Sequence, residues 1–125
     1  MNQHKALDLK KLFSAIRHPI HGLKIAFLTE AALRLEIGIF IILVPLAFVF
    51  GYNTLSQVLL ITSWILVIIA ELINTAIETI VDRISSEHHH LSAKAKDIGS
   101  AIVLLAAANA AFIWLLFIIR FFRLP

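Results

Sequence analysis

The stretch Val58-Leu59-Leu60-Ile61-Thr62-Ser63-Trp64-Ile65-Leu66-Val67-Ile68-Ile69-Ala70-Glu71-Leu72-Ile73-Asn74-Thr75-Ala76-Ile77-Glu78-Thr79-Ile80-Val81-Asp82-Arg83 starts as a membrane span and ends in acid. At ~100° per residue, Glu71, Asn74, Glu78 and Asp82 fall at roughly 0°, 300°, 340° and 20° around a helix. They form one narrow polar stripe, ~16 Å long. Leu72, Ile73, Ala76, Ile77, Ile80 and Val81 occupy the other faces. A charge near the bilayer core costs several kcal/mol, so an acidic stripe entering a span marks a functional site by default. The competing reading is that such polar groups only hydrogen-bond one helix to another. Four on one face, three of them acidic, favour function.

Working outward, 60% of the 125 residues are hydrophobic and 15% are charged, against about a quarter charged in a soluble domain. The apolar residues come in long runs, so the fold class is an all-α membrane protein. The expected organisation is an amphipathic surface helix over 6–28 and three span-containing helices over 31–50, 55–83 and 98–119. These leave no room for a separate soluble catalytic domain. With no cysteine, disulfides, thiolate metal sites and thiol nucleophiles are excluded. The polar Met1–Lys11 segment is not a cleavable signal peptide.

In the surface helix Leu9, Leu12, Phe13, Ile16, Ile20, Leu23 and Phe27 recur every three or four residues, beside a basic face of Lys10, Lys11, Arg17, His21 and Lys24. Pro19 is expected to break this helix in two, and the helix serves equally well as a plain anchor. Glu30 and Arg34 share a face at the entrance to the first span. Gly51-Tyr52-Asn53-Thr54 is a tight turn. Residues 84–94 read as a loop containing His88-His89-His90, a polar interfacial segment rather than a metal site. Ala101, Ala106, Ala107, Ala108, Ala110 and Ala111 permit close helix contact in the third span, where Asn109 is a candidate interhelical hydrogen-bond partner. Nine basic residues, Lys5 to Lys96, lie on one side of the membrane, and Arg120 and Arg123 lie on the other. That bias puts the N-terminus and the 84–96 loop in the cytoplasm and the C-terminus opposite.

The chain has no Walker A loop, protein-kinase motif set or His-Glu-x-x-His. Glu30, Glu78 and Asp82 are hard oxygen ligands, and Mg²⁺ usually takes one or two carboxylates plus phosphate oxygens. Lys94 and Lys96 flank Asp97 and offer charge to phosphates, although they also fit as ordinary positive-inside residues. Glu71, the deepest acid, lies at the level of lipid headgroup hydroxyls and is the candidate general base. Asn74 lies between Glu71 and Glu78.

These segments resemble the small prokaryotic diacylglycerol kinases. The likeness is carried by Glu71-Leu-Ile-Asn74-Thr-Ala-Ile-Glu78-Thr-Ile-Val-Asp82-Arg83, by Ala93-Lys94-Ala95-Lys96-Asp97-Ile98-Gly99-Ser100-Ala101, and by Thr29-Glu30-Ala31-Ala32-Leu33-Arg34-Leu35-Glu36. It runs in order over nearly the whole chain. It implies a homotrimer in the bacterial inner membrane that uses ATP and Mg²⁺ to phosphorylate diacylglycerol, with no nucleic-acid partner. It places the base at Glu71, assisted by Asn74, and the metal ligands at Glu30 and Glu78. Nucleotide contacts, which include Glu30 and Glu78, fall further on Lys11, His18, Asp82, Glu87, His88, His89, Lys96 and Asp97. Lipid contacts fall on Lys24, Phe27, Ala32, Leu33, Arg34, Leu35, Glu36, Val49, Phe50, Gly51, Tyr52, Gln57, Glu71, Ser100 and Trp114. The chain departs from the familiar pattern at Lys11, His18, Ile20, His21, Leu35 and His88. Two alternatives stay open: undecaprenol as the acceptor, and a small ion-handling or scaffold protein.

Overall fold

The computed structural model describes residues 9–84 and 89–123, with side chains from residue 15 onward. Among the described residues the fold is all-helical: α1 (Leu9–Thr29), α2 (Ala31–Phe50), α3 (Thr54–Ile84) and α4 (His90–Arg123). The last three are long and apolar enough to cross a membrane. At 1.5 Å per residue the 31 residues of α3 extend about 46 Å, against a hydrocarbon core of ~30 Å. The excess of ~16 Å matches the length of the Glu71–Asp82 stripe. The same rise gives the apolar part, 55–70, about 24 Å, which leaves Glu71 just inside the edge of the core.

Two sequence expectations are corrected. α1 runs unbroken through Pro19. A proline removes one N–H and clashes with the preceding turn, but residues 15–20 are all exposed, so the solvent or headgroup layer can satisfy the freed carbonyl. The 84–94 loop is also shorter than expected. Ile84 ends α3 and α4 starts at His90, so Leu91, Ser92, Ala93 and Lys94 are helical. Polarity alone made that segment look like loop, but a polar first turn is compatible with a helix that stands clear of the membrane.

The connections explain the boundaries. Only Glu30 separates α1 from α2, in extended conformation. The Arg34 guanidinium donates to the carbonyls of Phe27 at 3.0 Å and Leu28 at 2.9 Å, capping the last turn of α1. The Arg34 side chain is therefore engaged with α1 carbonyls rather than with Glu30. At the other end of α2, Gly51 N–H returns to Ala47 O at 2.9 Å. A Cβ on Gly51 would lie 2.6 Å from that carbonyl and 3.0 Å from the Gln57 backbone nitrogen, so the turn requires glycine. Asn53 then caps α3: its Oδ1 accepts from Ser56 N–H at 2.8 Å while Ser56 Oγ accepts from Asn53 N–H at 3.0 Å.

α3 and α4 make the principal packing, antiparallel, with α2 against α3. Val67 and Ala70 meet Ala106 and Ala110 in one buried cluster, and small residues allow that close approach. Ala47, Leu60 and Trp114 form a second cluster, where Trp114 Nε1–H donates to Leu60 O at 3.2 Å. Of the six alanines noted in the third span, only Ala106 and Ala110 are buried. Asn109 makes no hydrogen bond among the described residues. It is exposed on an apolar groove shared with Leu66, Ile73 and Leu105.

Candidate active site

The α3–α4 register assembles the polar stripe. Val67 and Ala70 dock on Ala110 and Ala106, so the next two turns of α3 run along the start of α4. Asn74 meets Gly99, and further along Lys96 Nζ meets Asp82 Oδ1 at 2.5 Å. Glu71 is 7% exposed and Asn74 9%, whereas Glu78 is half-buried and Asp82 exposed. The stripe thus grades from buried to solvated along α3. Asn74 Nδ2 donates to Glu78 Oε1 at 3.2 Å, and Asn74 Oδ1 is buried without a partner.

Carboxylates from the α1–α2 junction and from α2 lie beside this stripe. Glu71 lies within electrostatic range of Glu78 and of Glu30 at the α1–α2 junction. Glu36 of α2 lies within range of Glu71. The Glu36 Oε2 atom is buried without a partner, while its backbone carbonyl accepts from Trp64 Nε1–H at 2.9 Å. Thr29 Oγ1, with one proton to donate, lies 3.0 Å from Glu30 Oε1 and 3.1 Å from the Ile25 carbonyl oxygen. Like charges gathered at a membrane boundary are costly unless a proton or a cation neutralises them. Among the described residues no three His, Asp or Glu side chains form a metal cage. Carboxylate oxygens of this kind are hard donors, and Mg²⁺ takes one or two of them and completes its shell with phosphate oxygens and water.

Other expected site residues are dispersed. Lys96, Asp97 and His89 lie at the same end as Glu78 and Asp82, on or just before the first turns of α4. Lys11 is in the α1 backbone, but its side chain, Glu87 and His88 lie outside the described residues. His18 sits with Arg17 and His21 around a surface cavity on α1. Lys24, Phe27, Ala32, Leu35 and Ser100 are exposed near the acidic end, whereas Leu33 is buried at 1%. Val49, Phe50, Gly51, Tyr52, Gln57 and Trp114 gather at the opposite end. There Arg120 stacks over Tyr52 at 4.1 Å and Phe50 packs edge-on to Trp114 and Phe121. About sixteen residues of α3 separate that end from Glu71, or ~24 Å. The expected lipid contacts are therefore two sets, not one.

Sequence reasoning missed Trp64 and Gly99. A glycine inside a helix costs up to about 1 kcal/mol relative to alanine, so Gly99 was a readable sign of close approach. Nothing in the sequence pairs Trp64 with the Glu36 carbonyl.

The architecture defines a three-span α-helical membrane protein with a buried acidic centre at one end of its spans. The family model for prokaryotic diacylglycerol kinase matches residues 17–118, and the chain belongs to that family. It is 41% identical over 111 residues to a diacylglycerol kinase of Haemophilus influenzae, covering 89% of this chain and 94% of the relative. It is 42% identical over 104 residues to the Escherichia coli K12 diacylglycerol kinase, covering 83% and 85%. The Pseudomonas aeruginosa diacylglycerol kinase is 38% identical over 106 residues, covering 85% and 86%.

Proposed function

We propose that this protein is a diacylglycerol kinase that transfers the γ-phosphoryl group of ATP to diacylglycerol at the cytoplasmic face of the bacterial inner membrane, as a homotrimer. The observation that carries the mechanism is the burial of Glu71 beside the hydrogen-bonded Asn74–Glu78 pair, where the apolar part of α3 ends. Glu71 takes the proton from the primary hydroxyl of the lipid. The freed oxygen pair attacks the γ-phosphorus, the bond to the bridging oxygen breaks, and ADP leaves with that electron pair. Glu30 and Glu78 would hold Mg²⁺, which when bound neutralises phosphate charge. Asn74 holds Glu78 in place, and Asp82 holds Lys96 where its ammonium meets phosphate. Asp97 and His89 extend the same polar end toward the nucleotide, as do Lys11, His18, Glu87 and His88.

The two lipid-contact sets take different molecules. A hydrocarbon core of ~30 Å holds two leaflets, so one lipid does not reach both ends. The exposed residues beside the acidic centre, including Lys24, Phe27 and Ala32, receive the lipid to be phosphorylated. Val49, Phe50, Tyr52 and their neighbours contact lipid of the opposite leaflet. The exposed mid-span Asn109, with Ala108 and Ala111 also exposed, supports subunit association, since a polar amide in hydrocarbon requires a partner.

The names of the relatives favour diacylglycerol over undecaprenol. The test is to assay purified protein with labelled ATP, Mg²⁺ and each alcohol. Transfer to diacylglycerol is expected, abolished by chelating the metal. Preferred transfer to undecaprenol would overturn the substrate, and no transfer to either would overturn the kinase reading.

A further inference from the structure

Gly99 is buried on the face of α4 that meets the acidic stripe. A Cβ built there would stand 2.5 Å from Asn74 Oδ1, 3.5 Å from Asn74 Cγ and 3.5 Å from Ile77 Cδ1. Carbon and oxygen do not approach to 2.5 Å without a bond, so one group must move. The obstructing atom is the end of a side chain and not backbone, so the Asn74 amide gives way. That amide is one rigid plane: if Oδ1 is pushed, Nδ2 moves with it. Nδ2 holds Glu78 Oε1 at 3.2 Å, already near the long end of a hydrogen bond, so a displacement of a few tenths of an ångström breaks it.

We infer that Gly99 is a positioning residue for the phosphoryl-transfer site: its missing side chain is the space in which the Asn74 amide sits and orients Glu78. The inference rests on the reading of Glu78 as a metal ligand. It assigns the glycine a role beyond close helix packing, because the group that fills the space is the polar one that orients a site carboxylate. The same Oδ1, the atom nearest the space left by Gly99, is buried and has no hydrogen-bond partner.

The experiment compares wild type, Gly99→Ala, Asn74→Ala and the double variant in lipid bilayers. Two readouts are used: the Mg²⁺ concentration for half-maximal kinase activity, and the nitrogen-15 resonance of the Asn74 side-chain amide. Loss of a group that orients a metal ligand typically costs ten- to a hundredfold. Gly99→Ala is therefore expected to raise the Mg²⁺ requirement about tenfold, with little change in thermal midpoint, and to move the Asn74 amide resonance in metal-free protein. In the Asn74→Ala background the same change should cost less than about twofold, because the obstructed atom is gone. Equal penalties in both backgrounds, or an unmoved amide resonance, overturn the inference. If Gly99→Ala alone fails to fold, the double variant must fold, and its failure also overturns the inference. Glu78→Ala separates the two readings. If it leaves the Mg²⁺ requirement unchanged, Glu78 is not the ligand, and the amide resonance and the coupling between positions 99 and 74 alone decide the role of Gly99.

Discussion

Replacing Glu71 with glutamine tests the centre of the mechanism. The side chain keeps its size and loses its proton-accepting charge. Glu71 is 7% exposed, has Glu30 and Glu78 within electrostatic range, and is in no ion pair among the described residues. Glutamine therefore removes like-charge repulsion without removing a stabilising partner, and the thermal midpoint in detergent should hold or rise. Activity should behave differently. A positioned base contributes typically 10²–10⁴-fold, so kcat for phosphatidic acid formation should fall by about that factor. Because the hydroxyl is still bound, KM for the lipid should change by less than about threefold. Glu71→Asp keeps the charge but withdraws it by one methylene, and a misplacement of ~1 Å costs about a hundredfold. The assay is phosphate transfer from labelled ATP to diacylglycerol in mixed micelles, with folding checked by circular dichroism. A Glu71→Gln protein that keeps more than a tenth of wild-type kcat would refute the base assignment. A loss of kcat that tracks a loss of helicity would refute the claim that the residue acts chemically.

Arg34→Ala removes both guanidinium bonds to the end of α1, and at about 0.5–1.5 kcal/mol for a typical bond the junction should loosen, raising amide hydrogen exchange over 26–30 while α3 stays protected. Ala110→Leu forces a larger side chain into a fully buried contact between α3 and α4, and overpacking should destabilise the bundle by about 1–3 kcal/mol in thermal unfolding. Lys96→Met should leave thermal stability within error, because its pair with Asp82 is solvent-exposed. The same variant should raise KM for ATP severalfold, and an unchanged KM would remove Lys96 from the nucleotide site.

The helices and the acidic stripe were legible because both depend on short-range rules. Hydrophobic runs of span length and the tight turn at Gly51-Tyr52-Asn53-Thr54 act within a few residues of themselves. The spacing of Glu71, Asn74, Glu78 and Asp82 is likewise a property of one helix. The misreadings were also local: Pro19 and the polar segment before Lys94 carry helix-breaking or loop-like composition, yet both lie on surfaces where solvent or headgroups satisfy the backbone.

The sequence by itself therefore determined that this protein spans a membrane and brings an acidic face to its boundary, because helix periodicity and the cost of charge in hydrocarbon are properties of the chain. Only the tertiary structure decided which groups meet that face. The close contact of Ala106 and Ala110 with α3 sets the register that brings Gly99 to Asn74 and Lys96 to Asp82. The Trp64 bond to Glu36 ties α2 to α3. The Arg34 cap fixes the α1–α2 junction beside Glu30. These contacts join residues far apart in the chain, and interhelical packing rather than any local pattern selects them.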